Sequence, residues 1–290
     1  MESAIRLCFP SSTCIFLAAG LVVSPLAESA GGAQPSEVVI IAEEYAFEAP
    51  DRIAAGWRTI RLKNRGRDVH HVQFLKLPAS KTAADFHNAL KIDSTRLPSW
   101  VVRHGGVNSV MPDDEAVVVI ELDPGDYVLI CGIPDERGRP HVVHGMTKSL
   151  LVAEPAASSN GAPTPDVTIS MKEFSYAFDR PLTEGDRMVL VRNDGRQAHE
   201  VLLLALAPGA SVLDFLEFYK PGTPRNPAGR TIGGMTGLEP GRQGFFSLHV
   251  KAERYGILCF LADPYRRRPH FMDGMWMDID VPPLAPPAGR

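Results

Sequence analysis

The chain has 290 residues, 44% of them apolar and 22% charged, with a formal net charge of −4 at pH 7. That length is enough for two domains with substantial cores, and the charge balance excludes the basic bias of a nucleic-acid binder. Proline and glycine, 25 residues each, favour a turn-rich β protein over a helical bundle.

Residues 1–33 read as a secretory signal. Arg6 precedes an apolar run, Cys14–Val23, which Pro25 interrupts, and Gly31-Gly32-Ala33 offers small residues for cleavage, with Ser29 as a second position. The run is too short to span a bilayer. A periplasmic or extracellular protein with no membrane span after signal removal is therefore expected; the alternative is a buried N-terminal strand. Cys8 and Cys14 leave with the signal, while Cys131 and Cys259 remain. Those two either form one disulfide or serve separate, equivalent places.

Equivalence is what the rest of the chain suggests. An offset of 129 takes Glu44-Tyr45-Ala46-Phe47 to Glu173-Phe174-Ser175-Tyr176, Gly56 to Gly185, Asn64 to Asn193, Gly66 to Gly195 and His70 to His199. It becomes 128 for Gly105-Gly106, Tyr127 and Cys131 against Gly233-Gly234, Tyr255 and Cys259, then returns to 129 for His141 and Met146 against His270 and Met275. Such self-similarity marks an internal duplication.

Each copy reads as β. Val38–Ile41 and the alternating Trp57–Lys63 are strands, Lys63-Asn64-Arg65-Gly66 is a turn, and Val69–Leu77 is a further strand. Lys81–Leu90 and its counterpart Ser211–Tyr219 are short helices. After a Gly105-Gly106 loop come strands Ala116–Leu122, Tyr127–Cys131 and Lys148–Val152. The fold class expected is all-β, two tandem Greek-key sandwiches of about seven strands, each with one short helix. Domain 1 covers 34–154, a Pro/Ala/Ser/Gly linker 155–165, domain 2 covers 166–281, and the proline-rich tail 282–290 is expected to be disordered.

The chemistry lies in Cys131, His141 and Met146, and again in Cys259, His270 and Met275. A thiolate, an imidazole and a thioether suit a soft or borderline metal, above all copper. A trigonal site of two histidines and one cysteine with a weak axial methionine needs one more histidine per copy. His70 and His199 supply it, each opening an apolar strand after an Asn/Gly turn. Neighbours on a strand face opposite ways, so His70 points inward while His71 points away, as Glu200 does. Singly, each residue has a plain alternative as core filler, and one of the two sites would be vestigial if only one set were functional.

The segment Val69-His70-His71-Val72-Gln73-Phe74, with Cys131-Gly132-Ile133-Pro134 and the run His141 to Met146, resembles the cupredoxin (blue copper, plastocyanin-like) superfamily. The resemblance covers both repeats. It implies one copper per domain, two per chain, in type 1 sites of His70, Cys131, His141 and axial Met146, and of His199, Cys259, His270 and axial Met275. It also implies electron carriage to a redox partner protein, for which Arg266-Arg267-Arg268 offers positive charge to an acidic surface. Copper storage or delivery without redox turnover is the alternative. A copper oxidoreductase would need a further site at a domain or subunit boundary, involving His104 or His144, since the chain has no His-x-His and no His-Cys pair. The chain departs from the family in the nine and ten residues separating cysteine from second histidine. Closure entropy grows only slowly with loop length, so the excursions Asp135–Arg139 and Asp263–Arg268 are expected to bulge out and return, shielding the metal or forming a docking surface.

Overall fold

A computed structural model describes residues 36–94, 96–155 and 161–283. The expected signal, part of the expected linker and residues 284–290 of the expected tail lie outside these residues.

Strand β1 (Glu37–Glu43) alternates between exposed and buried residues and places Val38, Ile40 and Ala42 on its inner face. It is followed by β2 (Ala46–Glu48), β3 (Arg52–Ala54), β4 (Gly56–Asn64), β5 (Gln73–Lys76), α1 (Ala83–Ile92), β6 (Val102–Arg103), β7 (Glu115–Leu122), β8 (Gly125–Ile130) and β9 (Thr147–Ala153). The second half runs β10 (Val167–Lys172), β11 (Ser175–Phe178), β12 (Gly185–Asn193), β13 (His199–Leu206), α2 (Val212–Phe218), β14 (Gly229–Leu238), β15 (Gln243–Val250), β16 (Arg254–Leu258) and β17 (Trp276–Asp280). Both helices start in a capping box. Thr82 and Ser211 accept from the N–H of Asp85 and Asp214, whose carboxylates bond back to the cap residue. Losing such a cap typically costs about 1 kcal/mol. Phe86 and Leu90 of α1 pack on Leu75, Val128 and Ile130, while Val212 and Phe215 of α2 pack on Leu204 and Leu258.

Two sandwiches share one large sheet, whose strand order is β11-β10-β12-β15-β7-β4-β1-β2. Half of it comes from each repeat. The first sandwich closes with the sheet β3-β9-β8-β5-β6, the second with β14-β13-β16-β17. The join is antiparallel pairing of β15 with β7, Gly244 opposite Ile120 and Phe246 opposite Val118. Pairing these two strands with each other removes two edges that would invite association with other chains. Trp57 sits edge-on to Phe245 across this join, with ring centroids 5.4 Å apart. Both sandwiches accordingly belong to one compact unit.

Two segments differ from expectation. The strand expected from Val69 becomes regular only at Gln73, because His70 and Val72 bond instead to Val110 and Val107. The Gly105-Gly106 stretch, expected as a loop, runs beside β14: Gly105 N–H donates to Gly237 O and Thr236 N–H to Gly106 O, at 2.9 and 3.0 Å. Gly106 has φ +145°, and a Cβ there would collide with the carbonyl of Val72, so the close approach of these three segments requires glycine.

Candidate metal centres

Each first histidine is delivered by a turn built around a buried asparagine. Asn64 Nδ2 donates to Asp68 O and Val110 O at 2.8 and 2.9 Å, and its Oδ1 accepts from Gly66 N. Asn193 repeats this with Gln197 O, Leu238 O and Gly195 N. A carboxylate then clamps the turn. Glu44 Oε1 accepts from the N–H of Arg67 and Asp68 and lies 3.7 Å from Nε2 of His70. Glu173 does the same for Arg196, Gln197 and His199, again at 3.7 Å. Burial alone would raise the Glu44 carboxyl, but the N–H groups of Arg67 and Asp68 outweigh it and hold the acid below its ordinary range.

The donor atoms converge. In the first sandwich Nδ1 of His70 and Nδ1 of His141 are 3.1 Å apart, and Sγ of Cys131 lies 4.0 and 3.5 Å from them. A point about 2 Å from all three atoms exists within that triangle, the range of metal–nitrogen and metal–thiolate bonds to a first-row ion. In the second, Nδ1 of His199 and Nδ1 of His270 are also 3.1 Å apart, and Cys259 Sγ is 3.4 Å from the latter. All six residues are buried, and both cysteines are free. Met146 and Met275 are fully buried in the same cluster as the cysteines. The main chain of Met146 accepts from Cys131 N and donates to His141 O, at 3.3 and 3.1 Å; Met275 does so with Cys259 and His270, both at 3.1 Å.

The long loops close on themselves. Asp135 N–H donates to Arg139 O, and His141 N–H to Ile133 O, both at 2.8 Å, so the cysteine and histidine limbs meet as if the intervening residues were absent. The carboxylate of Asp135 accepts from Arg137 N, Arg139 N and His144 Nε2, each at 2.8 Å. Asp263 does the same for Tyr265 N and Arg266 N and also takes Gln197 Nε2. The Arg139 N–H, with His144 and Arg137, keeps Asp135 well below the usual carboxylate range against the effect of its own burial. Aromatic lids complete the cover: the Tyr45 ring is 5.0 Å from His141, and that of Phe174 is 5.1 Å from His270. His141 and His270 are consequently 0% and 1% exposed.

Electrostatics fit a bound cation. Burial, then the neighbouring His141, lowers His70 to about 4, and burial followed by His270 does the same to His199, so both imidazoles are neutral ligands at pH 7. Nε2 of His70, His141 and His199 has no hydrogen-bond partner and faces a carboxylate instead, of Glu44, Asp68 and Glu173. That arrangement places the ring proton on Nε2 and leaves Nδ1 free to ligate. Burial pushes the Cys131 thiol up to about 12 and raises Cys259 well above its ordinary value. A buried thiol of this kind ionises only against a compensating cation, as a coordinating thiol does. Two neutral imidazoles, a thiolate and a buried methionine fit copper, one ion per domain.

Sequence reasoning missed three residues beside these centres. His71 turns away from the first centre, as expected, yet its Nε2 accepts from Gly132 N at 2.7 Å, directly after Cys131. Glu200, in the equivalent place, accepts from Phe260 N at 2.9 Å, directly after Cys259. Asn108 Nδ2 donates to Glu200 Oε2 at 3.4 Å. The remaining histidines have structural partners: His104 meets Tyr127 Oη at 3.0 Å, His144 meets Asp135, and His87 meets Thr147. Of the three arginines 266–268, Arg266 and Arg268 pair with Asp273, while Arg267 lines a cleft of about 1260 Å³ between the sandwiches. Among the described residues no helix is long and apolar enough to cross a membrane.

The architecture is two tandem β-sandwiches that share one sheet, each holding one histidine–cysteine–histidine triad. No family model matches the chain, and no curated protein does. Among solved structures, auracyanin A, a "blue" copper protein from Chloroflexus aurantiacus, is similar at 23% identity, covering 41% of this chain and 99% of that one, with a TM-score of 0.28. An auracyanin from Roseiflexus castenholzii is similar at 20% identity, covering 42% and 99%, with a TM-score of 0.27. A copper nitrite reductase from Nitrosomonas europaea is similar at 15% identity over 89% of this chain and 97% of its own, with a TM-score of 0.25.

Proposed function

We propose that the protein is exported and carries single electrons between other proteins. His70, Cys131, His141 and Met146 would hold one copper ion, and His199, Cys259, His270 and Met275 would hold the second. Bound copper supplies a one-electron couple. The chain supplies ligands that are already in place: Glu44 and Glu173 fix the first histidines, while Asp135 and Asp263 lock the loops leading to the second. Carriage rather than catalysis is supported by one observation above the rest. Every residue of both donor triads is buried, with none more than 1% exposed among the described residues.

The partner this reading calls for is an acidic redox protein. Arg267, Arg196, Arg225 and Arg96 line the cleft between the sandwiches, and the backbone following each cysteine forms part of its wall, at Gly132–Pro134 and Phe260–Tyr265. Opposite charge there would steer encounter and weaken with salt. Storage without turnover is favoured by a different observation, the aromatic lids over His141 and His270.

Loading the purified protein with Cu(II) separates these readings. Two coppers per chain with an intense thiolate-to-copper band, lost in a Cys131→Ser/Cys259→Ser variant, are expected. Fast reduction and reoxidation by a small acidic redox protein supports carriage. Tight binding with exchange slower than minutes would replace it with storage.

A further inference from the structure

The loops that lead from each cysteine to its second histidine differ in what they present. The first, Asp135-Glu136-Arg137-Gly138-Arg139, carries two acids and two arginines; the second, Asp263-Pro264-Tyr265-Arg266-Arg267-Arg268, carries one acid and three arginines. Counted back from the closing histidines, Gly138 corresponds to Arg267 and Glu136 to Tyr265. Gly138 and Arg267 both adopt left-handed backbone, at φ +75° and +60°. Glycine takes that conformation freely, whereas an arginine there stores strain of the kind that collects at functional sites. Arg266 and Arg268 share Asp273, so the Arg267 charge is the one left over.

Access to the two loops differs as well. The backbone of Asp135 and Glu136 lies against Gly222 of the other sandwich, so closely that a Cβ on Gly222 would stand 2.2 Å from Glu136 N. The covering segment adds Lys220 and Arg225 to the positive charge of the cleft, but it also occupies the ground a partner would need over the first loop. The tip of the second loop stands clear, with Tyr265 86% exposed. An exposed tyrosine beside an unneutralised arginine is the pairing that anchors protein interfaces. Inward of this tip the groups are layered. The Arg266 guanidinium lies 5.6 Å from the centroid of the Phe174 ring, and that ring lies 5.1 Å from the ring of His270. In the first sandwich the group stacked on the lid is His144, 4.6 Å from Tyr45 and held by Asp135.

We infer that the loop Asp263–Arg268 is the docking surface for the acidic redox partner, and that this partner exchanges its electron with the second centre rather than the first. The inference deepens the electron-carrying reading and rests on it. The step balances in itself: one electron passes between the partner and copper, one is oxidised as the other is reduced, and no bond is made or broken. Arg267 and Tyr265 act on encounter and orientation, not on ligation.

Two readouts test this. In metal-free protein, hexacyanochromate(III), a redox-inert paramagnetic trianion, is titrated while backbone N–H signals are followed by NMR. Residues 265–268 should broaden before residues 136–139. In copper-loaded protein, reduced flavodoxin, a small acidic one-electron donor, is mixed with Cys131→Ser, which keeps the second centre, and with Cys259→Ser, which keeps the first. The rate should fall about tenfold from low to physiological ionic strength in Cys131→Ser, and no more than about twofold in Cys259→Ser. The salt slope is the quantity compared, because it does not depend on the potentials of the two centres. Adding Tyr265→Glu and Arg267→Gly to Cys131→Ser gives the second loop the net charge of the first and should flatten the slope. If that combination loses copper, Arg267→Gly alone, which relieves the left-handed backbone, takes its place. Equal slopes in the two cysteine variants, a slope unmoved by Arg267→Gly, or broadening confined to residues 136–139 overturns the inference. If residues 265–268 broaden but flavodoxin reduces neither centre, the anion-binding surface stands and the carrier reading fails, taking the electron step with it.

Discussion

Oδ2 of Asp68 stands 3.9 Å from Nε2 of His141. The residue in its place in the second sandwich is Gln197, whose Oε1 is 3.2 Å from Nε2 of His270. A carboxylate therefore faces the second histidine of one centre and a neutral amide that of the other. Negative charge beside a ligand stabilises the more oxidised ion, so this exchange of Asp68 for Gln197 by itself lowers the potential of the first centre relative to the second. Asp68 is 29% exposed on its side chain, and at an effective dielectric of about 20 the difference is on the order of 1 kcal/mol, roughly 40 mV for a one-electron couple. Asp68→Asn should raise the first potential and Gln197→Glu should lower the second, read by spectroelectrochemical titration. Equal shifts at both centres from either change would show that the asymmetry lies elsewhere.

Gly66 gives a steric handle on the same centres. A Cβ at Gly66 would sit 2.5 Å from Glu44 Oε1 and 2.8 Å from His70 Nε2, whereas one at Gly195 would meet Glu173 Oε1 and His199 Nε2 at 2.9 and 3.0 Å. Gly66→Ala should therefore push the carboxylate off the histidine and weaken copper binding at the first centre by about 10–100-fold, the usual effect of losing an outer partner. Gly195→Ala should do less. Competition titrations against a chelator of known affinity measure both, and the reverse ranking would count against the clamp.

Much of this was legible in the residues. The apolar run Val38–Ile41, the alternation of Trp57–Lys63 and the one-faced spacing of Ala83, Phe86 and Leu90 fixed the element types, because their causes are local. The ligand set was legible because it recurs in register. Identity between repeats could not expose His71 and Glu200, whose shared role is an accepting atom rather than a residue type. Nor could it show Asn108 or the pairing of β7 with β15, which depend on contacts between repeats. Asp135 and Asp263, each four residues after its cysteine, were the available signal that the long loops close tightly.

Copper uptake should release protons. The Cys131 thiol, pushed up to about 12 by burial, and the still more shifted Cys259 are protonated in the metal-free protein at pH 7. The histidines, lowered by burial, carry no proton to lose beyond the neutral ring. Each site should therefore expel about one proton on binding, and apparent affinity should rise about tenfold per pH unit. Calorimetric titration in buffers of different ionisation heat counts the protons. A count near zero would mean that the thiols are already ionised, against their burial.

Acid should loosen the join between the sandwiches through His104. Its ring is buried against Tyr127, with Arg242 and Lys76 opposing a proton and Asp123 favouring one. Burial first, then Arg242, lowers it to about 3, against 6.5 when unfolded. The native state thus stays neutral while the unfolded chain takes up a proton, so stability from this group is intact above the unfolded value and declines as pH falls from about 6.5 toward 3. Between pH 7.5 and 5 the loss should be about 2 kcal/mol. The measurement is the urea midpoint of metal-free protein across that range, compared with His104→Gln. The parent should lose its advantage over the variant as pH drops; parallel curves would show that His104 does not titrate on unfolding.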